Sequence, residues 1–472
     1  MRSPEPRAAR SFVVIYACAA AILAVVAAAS SSRGGVDPMP QFAWIGAASL
    51  VVTASLIAVA GIWSATGAYM AVFWCFHFGL VVALASGYLA PVDLSPWDEP
   101  WALGPFAAEA AILALAGCLA FASGACLVFA LRSRLPLRDR SDPRGETAHA
   151  YGFVGSTLVF GALAVWCGIV LSTGGVTGFF SSYEDYLQTT GDFGTTLGVV
   201  WAVLGCGIVM AVTGRRAWYR TAVLIAFGCF SLVGLPLGLR SEIMFPTVAA
   251  LVALARRGRA LTPVKAVAFG LALLLVIPVI RDVRESGLRA LPDAVLAAPG
   301  LDALVEMGGS LHPVEEVVRW HAEGDPYDEG ATYWAPFERA AKRLVPGVRS
   351  EAADDDLRLM NVLVLDRVGA IGFSPVAEAY RNFGPLGVVI VLGLFGMIVG
   401  GIDAVHDVRA AILLIAAVYV PLLVNVRNSF VSVPAQCAVG IVIAVVVAAA
   451  RHVVGSVLDR PYARAHYIRS EV

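Results

Sequence analysis

Long apolar runs recur along this chain, and they restrict it to one environment. A helix needs about 20 apolar residues to cross the hydrocarbon core of a bilayer. Runs of that kind occupy 11–30, 41–63, 67–90, 105–131, 151–172, 194–213, 221–239, 241–256, 264–281, 384–403, 410–427 and 430–450. Hydrocarbon offers backbone amides no partners, so a spanning segment is a helix or part of a closed barrel. Runs this long are helical, and the expected fold is an all-α polytopic membrane protein of about twelve spans. Composition agrees: 58% of residues are hydrophobic, only 15% are charged, and mean hydropathy is +0.76. A soluble fold could not hide that much apolar surface. The first run follows Arg2, Arg7 and Arg10 and exceeds the usual length of a signal-peptide core. It reads as a retained span rather than a cleaved leader.

Arginine placement orients the bundle. Basic clusters fall at the N-terminus, at Arg132 to Arg144, at Arg215, Arg216 and Arg220, at Arg256, Arg257 and Arg259, and after Arg451. With twelve spans, all of these share one side, which is the cytoplasm, and both termini lie there. The connections 91–104 and 173–193 carry acids and fall on the opposite side. Three units result: residues 1–281 with nine spans, a large extracytoplasmic segment 282–383, and residues 384–472 with three spans and a cytoplasmic tail. Net charge is −1, which gives no reason to expect a nucleic-acid partner. The eight cysteines, Cys18, Cys75, Cys118, Cys126, Cys167, Cys206, Cys229 and Cys437, all sit in apolar runs. They read as small buried hydrophobes, with no disulfide framework and no metal-ligand spacing.

The polar segment 282–383 carries Trp320, Tyr327, Tyr333, Trp334 and Phe337 and is punctuated by Pro and Gly. It is expected to hold short helices, including one from His312 to Trp320 and one from Pro336 to Leu344. Long ordered connections of this sort are commonly functional. At its end Ser374-Pro375 reads as an N-cap followed by a first helical residue. Glu378, Arg381 and Asn382 then share one helix face. A carboxylate flanked by a guanidinium and an amide can orient a hydroxyl and accept its proton. A structural Glu–Arg pair is the competing reading of the same residues. His312, Glu315 and Glu306 are alternative acceptors, and His77, inside the third span, reads as a hydrogen-bonded core histidine.

Arginines on the outer side run against the charge rule that sets topology. Arg240 lies in the turn between two spans, Arg281 and Arg284 at the outer end of the ninth span, Arg381 at the end of the segment, and Arg427 between the last two spans. Guanidinium forks bind phosphate oxygens in bidentate fashion, so several arginines there suit a diphosphate headgroup. Pairing with Glu242, Asp282 and Glu285 is the alternative. Tyr333, Tyr380 and Asn382, with Tyr327 and Trp334, are candidates for contacts to sugar rings, and a small aromatic core explains the aromatic ones equally well.

At three places the chain resembles the Wzy-type polysaccharide polymerases, which polymerise oligosaccharide repeat units. These are Gly238-Leu239-Arg240-Ser241 between two spans, Gly330-Ala331-Thr332-Tyr333 followed by Val345-Pro346, and Phe373-Ser374 through Glu378 to Asn382-Phe383-Gly384 and Gly387. The match covers roughly residues 235–405. The resemblance implies a GT-C-like glycosyltransferase of the bacterial cytoplasmic membrane. Its substrate would be an undecaprenyl-diphosphate-linked oligosaccharide at the outer leaflet, with no nucleotide sugar, cofactor or metal. A flippase and a chain-length regulator would be partners. Phosphate-binding arginines would correspond to Arg240, Arg281 and Arg284, and the acidic residue at the end of the segment to Glu378. Arg381 is not part of the family pattern. A ligase-like glycan transferase remains open as a second reading of the same residues. A transporter of lipid-linked or anionic solutes remains open as a third, against which stand the large outer segment and the lack of internal repeats.

Overall fold

The computed structural model describes residues 6–30, 38–89, 100–132, 146–214, 216–262, 264–265, 302–344, 355–369 and 371–449. All regular structure among them is helical. The elements are α1 (Pro6–Ser30), α2 (Met39–Ala60), α3 (Ala65–Ala85), α4 (Ala107–Arg132), α5 (Glu146–Gly174), α6 (Tyr183–Thr190), α7 (Gly194–Val212), α8 (Ala217–Gly234) and α9 (Arg240–Arg256). The polar segment contributes α10 (Asp302–Gly308), α11 (His312–Ala322), α12 (Ala331–Leu344) and α13 (Met360–Arg367). Then come α14 (Pro375–Ala404), α15 (Val408–Asn425), which holds a π turn at Ile415–Tyr419, and α16 (Phe430–Ala449).

Nine helices among the described residues are long and apolar enough to cross a membrane. They account for nine of the expected spans, and the chain is an integral membrane protein. Of the other three, the run at 11–30 lies in α1, whose apolar part is shorter, and the run at 241–256 is α9. The run at 264–281 lies almost wholly outside the described residues. Large apolar side chains such as Ile22, Val51, Leu232, Leu386 and Val442 face outward, as lipid-facing positions should. The expected α11 is present and runs on to Ala322, while α12 begins five residues before the expected Pro336.

α4 is the centre: 83% of its apolar window is buried, against 17% for α16. It crosses α14 closely because Gly124 and Gly396 leave no side chain between the backbones. A Cβ on either would come within about 2 Å of a carbonyl oxygen of the other helix. α3 is fixed at its start by two caps. Ser64 Oγ accepts from Gly67 N, and the Asp403 carboxylate at the end of α14 accepts from Ala65 N and Thr66 N. At the same end Arg132 donates to the Asp403 carbonyl, and Arg256 to those of Ile402 and Val405. One end of the bundle therefore gathers the ends of α4, α9 and α14. A second apolar cluster, built on Trp166, Val200, Leu204 and Phe230, joins α5, α7 and α8.

Candidate functional site

The opposite end holds the polar chemistry, and small residues make room for it. Gly79 of α3 and Gly308 of α10 face one another's helices; a Cβ on Gly79 would meet the Leu304 carbonyl oxygen at 2.1 Å, and one on Gly308 the Leu80 amide at 2.1 Å. α10 therefore lies directly on α3 and carries Glu306 and Met307 to the start of α9. A narrow cleft forms there, lined by Phe76, Arg240, Ser241, Met244, Phe245, Glu306, Met307 and Arg427. Arg240, buried at the first position of α9, is ion-paired with Glu306. The sequence offered Glu242 as its partner, but Glu242 accepts from Ser241. The Arg427 guanidinium lies 5.9 Å from the Phe76 ring centroid, and Glu242 is within electrostatic reach of it. The cleft thus presents two guanidinium groups, each held by its surroundings before any substrate arrives.

A second cluster is joined to this cleft by the short connection 426–429. Arg427 O accepts from Phe373 N at 3.0 Å, and Phe430 N donates to Glu378 Oε2 at 2.6 Å. The connection is thereby pinned to the start of α14 on both sides. Ser374 caps α14 through Val376 N, with Pro375 first in the helix, as expected. His77 Nε2 lies 2.8 Å from Ser374 Oγ and its Nδ1 3.0 Å from Phe73 O, a hydrogen-bonded core position. Glu378 is wholly buried at 0% exposure. Its other oxygen accepts from Thr332 Oγ1 at 3.0 Å. Asn382 Nδ2 donates to Thr332 Oγ1 and to Glu378 O. Tyr333 stacks on Phe383 and meets Phe430 edge-on. Its buried hydroxyl has no hydrogen-bond partner, and burial followed by the Glu378 charge pushes it well above the ordinary phenol value.

Arg381 faces elsewhere and pairs with Asp328 at 2.8 Å and Asp325 at 2.9 Å. The competing Glu378–Arg381 pair is therefore not what is seen. The reason lies in the next turn. Pro385 has no amide to offer the Arg381 carbonyl, and Gly384, at φ +68°, breaks the helical path. The freed carbonyls of Arg381 and Asn382 accept from Asp328 N and Glu329 N. The turn 325–330 docks there as an extra layer, with Tyr327 edge-on to buried Tyr380. Burial pushes Asp325 up, but Arg367 and Arg381 outweigh it and hold it below the usual carboxylate value.

His312 belongs to neither cluster. It stands on α11, its ring stacked on Trp101 at 4.7 Å, and its Nε2 lies 3.4 Å from Glu316. Burial and the neighbouring Glu316 charge push Glu315 up to about 7. Arg281 and Arg284 lie outside the described residues. Thr332 and the carboxylates that hold Arg381 received no role from sequence alone. Thr332 sits in the Gly330–Tyr333 motif, so a signal existed; nothing local connects Asp325 to Arg381.

The sequence model of the family described as O-antigen polysaccharide polymerase Wzy matches residues 150–453, well over half of the chain. Protein CapE of Staphylococcus aureus is 25% identical over 257 residues, which are 54% of this chain and 56% of that protein. The chain therefore spans little more than half the length of that relative. No solved structure matches the chain.

Proposed function

The chain belongs to the O-antigen polysaccharide polymerase Wzy family, and from that premise we propose that it polymerises oligosaccharide repeat units carried on undecaprenyl diphosphate. The observation that carries the reading is the cleft in which Arg240 and Arg427 converge beside the polar segment. In this reading the segment is extracytoplasmic, both termini are cytoplasmic, and twelve spans form a GT-C-like bundle in the bacterial cytoplasmic membrane. A flippase would supply the units and a chain-length regulator would act on the product. An acceptor hydroxyl attacks the anomeric carbon of the donor glycan. The bond from that carbon to the diphosphate oxygen breaks, the diphosphate leaves with the electron pair, and the proton of the attacking hydroxyl passes to a diphosphate oxygen or to water. Arginine forks at the departing oxygens stabilise charge that grows in the transition state. Glu306 and Phe76 hold Arg240 and Arg427 ready, so little reorganisation is needed at the moment of reaction. Arg281 and Arg284 are read as further phosphate ligands.

Glu378 receives a positioning role here. Both its oxygens are occupied and none of its surface is exposed, so it ties α12, α14 and the Arg427 connection together. Tyr333 and Asn382 border the glycan path, while Tyr380 and Arg381 fix the turn 325–330 over it.

The test is complementation of a gene deletion with Arg427→Ala, reading lipid-linked glycans by gel and mass spectrometry. Protein levels should hold, long polymer should fall about a hundredfold, the scale of losing one transition-state donor, and single lipid-linked units should accumulate. A normal polymer ladder from this variant would remove the cleft from the mechanism.

A further inference from the structure

We propose that α11 and the turn before α4 form a binding site for a divalent cation of the zinc class, with His312, Glu315 and Glu316 as its protein ligands. The three sit at i, i+3 and i+4 on α11 and so share one helix face. One ligand atom from each lies within 4.8 Å of the other two. Bond lengths of about 2.0–2.1 Å in a tetrahedral site place ligand atoms about 3.3 Å apart. His312 Nε2 and Glu316 Oε1 are already 3.4 Å apart. The Glu315 oxygen, within 4.8 Å of both, has to move closer to complete the set. An imidazole with two carboxylates is a donor set that zinc accepts, with the remaining position left to water.

Two buried polar atoms at this place are without a hydrogen-bond partner. Glu315 is 3% exposed, and its Oε2 has no hydrogen-bond partner. Two carboxylates stand side by side here, and Arg319 ion-pairs with Glu316 while it reaches Glu315 only through its charge. A buried carboxylate oxygen without a partner is costly unless a cation or proton meets it. Trp101, 8% exposed, also has a buried indole N–H with no acceptor. Its ring lies parallel to His312, with 3° between the planes. A cation-bound water would give that N–H an acceptor, and the stacked indole would fix the imidazole plane, the usual task of groups just outside a metal's ligand sphere.

Gly104 supports the same arrangement. A Cβ there would stand 3.6 Å from Glu315 Oε1, so the turn carrying Trp101 comes right up to the carboxylate. The cation would sit where the polar segment packs against the turn before α4, and its ligands are not among the residues that line the arginine cleft. This site does not depend on the polymerase reading, since it uses none of the cleft residues.

The experiment uses the full-length chain, purified without a polyhistidine tag, stripped with chelator and titrated with Zn²⁺. Elemental analysis after desalting should find one more equivalent of Zn²⁺ per chain in the wild type than in Glu315→Gln or His312→Gln. Zn²⁺ should raise the melting temperature of the wild type and leave those of the variants unmoved. Affinity should fall at least about tenfold in each variant. Co²⁺ loaded into the wild type should show visible absorption of a low-coordinate site with nitrogen and oxygen donors, which keeps the test decisive if a variant fails to fold. Equal Zn²⁺ in wild type and variants would overturn the site, as would wild-type Co²⁺ showing only the spectrum of the hydrated ion.

Discussion

Replacing Glu378 separates a residue that holds the site together from one that moves a proton. Its carboxylate accepts from Phe430 N at 2.6 Å and from Thr332 Oγ1 at 3.0 Å, wholly buried. Alanine would strand both donors. Each stranded buried donor costs about 1–3 kcal/mol, so the variant should lose about 2–6 kcal/mol before any cavity is counted. Glutamine is milder. Its oxygen can still serve Phe430 N, but its amide then faces Thr332 Oγ1, which already accepts from Asn382 Nδ2 at 2.7 Å. One bond is replaced by a poorly matched one, at about 1–3 kcal/mol. The assay pairs melting of the purified chain with polymer output in complemented cells. Positioning predicts a graded series in which stability and polymer fall together, wild type above Gln above Ala. A Glu378→Gln protein with wild-type yield and melting but no polymer would refute that reasoning and assign the carboxylate to proton transfer, whose loss is worth about 10²–10⁴ in rate.

Arg240 needs a paired design, because Arg240→Ala leaves Glu306 beside a vacated partner in a largely buried place, a change worth about 3–5 kcal/mol. Arg240→Gln with Glu306→Gln should restore melting towards wild type and still lack polymer; restored polymer would show that the arginine acts only on the fold. The tie from Asp325 to Arg367 and Arg381 should depend on pH. Its acid is held below the ordinary value, so the stabilisation is complete above about pH 4 and is lost as pH falls through the lower folded value. Protease nicking near residues 325–330 should rise on acidification in the wild type and be raised already at neutral pH in Asp325→Asn; an unchanged nicking rate in that variant would show the pair to be idle.

Helix content and the apolar elements were legible because hydrocarbon leaves a chain few options. The Ser374-Pro375 start of α14 was legible for an equally local reason, since a side-chain cap and a fixed φ act within one turn. The same turn rules could not say what Arg381 would meet. Glu378 is its neighbour in helix register, yet the guanidinium goes to Asp325 and Asp328, because Gly384 and Pro385 free two carbonyls that draw the turn 325–330 onto α14. Likewise Arg240 had Glu242 two residues away and found Glu306 sixty-six residues on. The face shared by His312, Glu315 and Glu316 was written in the sequence as helical spacing, but only burial distinguishes such a face from a solvated one.

What the sequence determined by itself was the solvent. Runs of apolar residues long enough to cross a bilayer oblige the backbone to satisfy its own hydrogen bonds, and helices follow whatever their neighbours are. What the tertiary structure decided was which charges meet. Ion pairs, side-chain hydrogen bonds and caps between α10 and α9, α12 and α14, or α14 and α3 depend on close approach of helices far apart in the chain. That approach is set by small residues such as Gly79 and Gly308 and by a kink at Gly384, whose effect on distant partners no local pattern encodes.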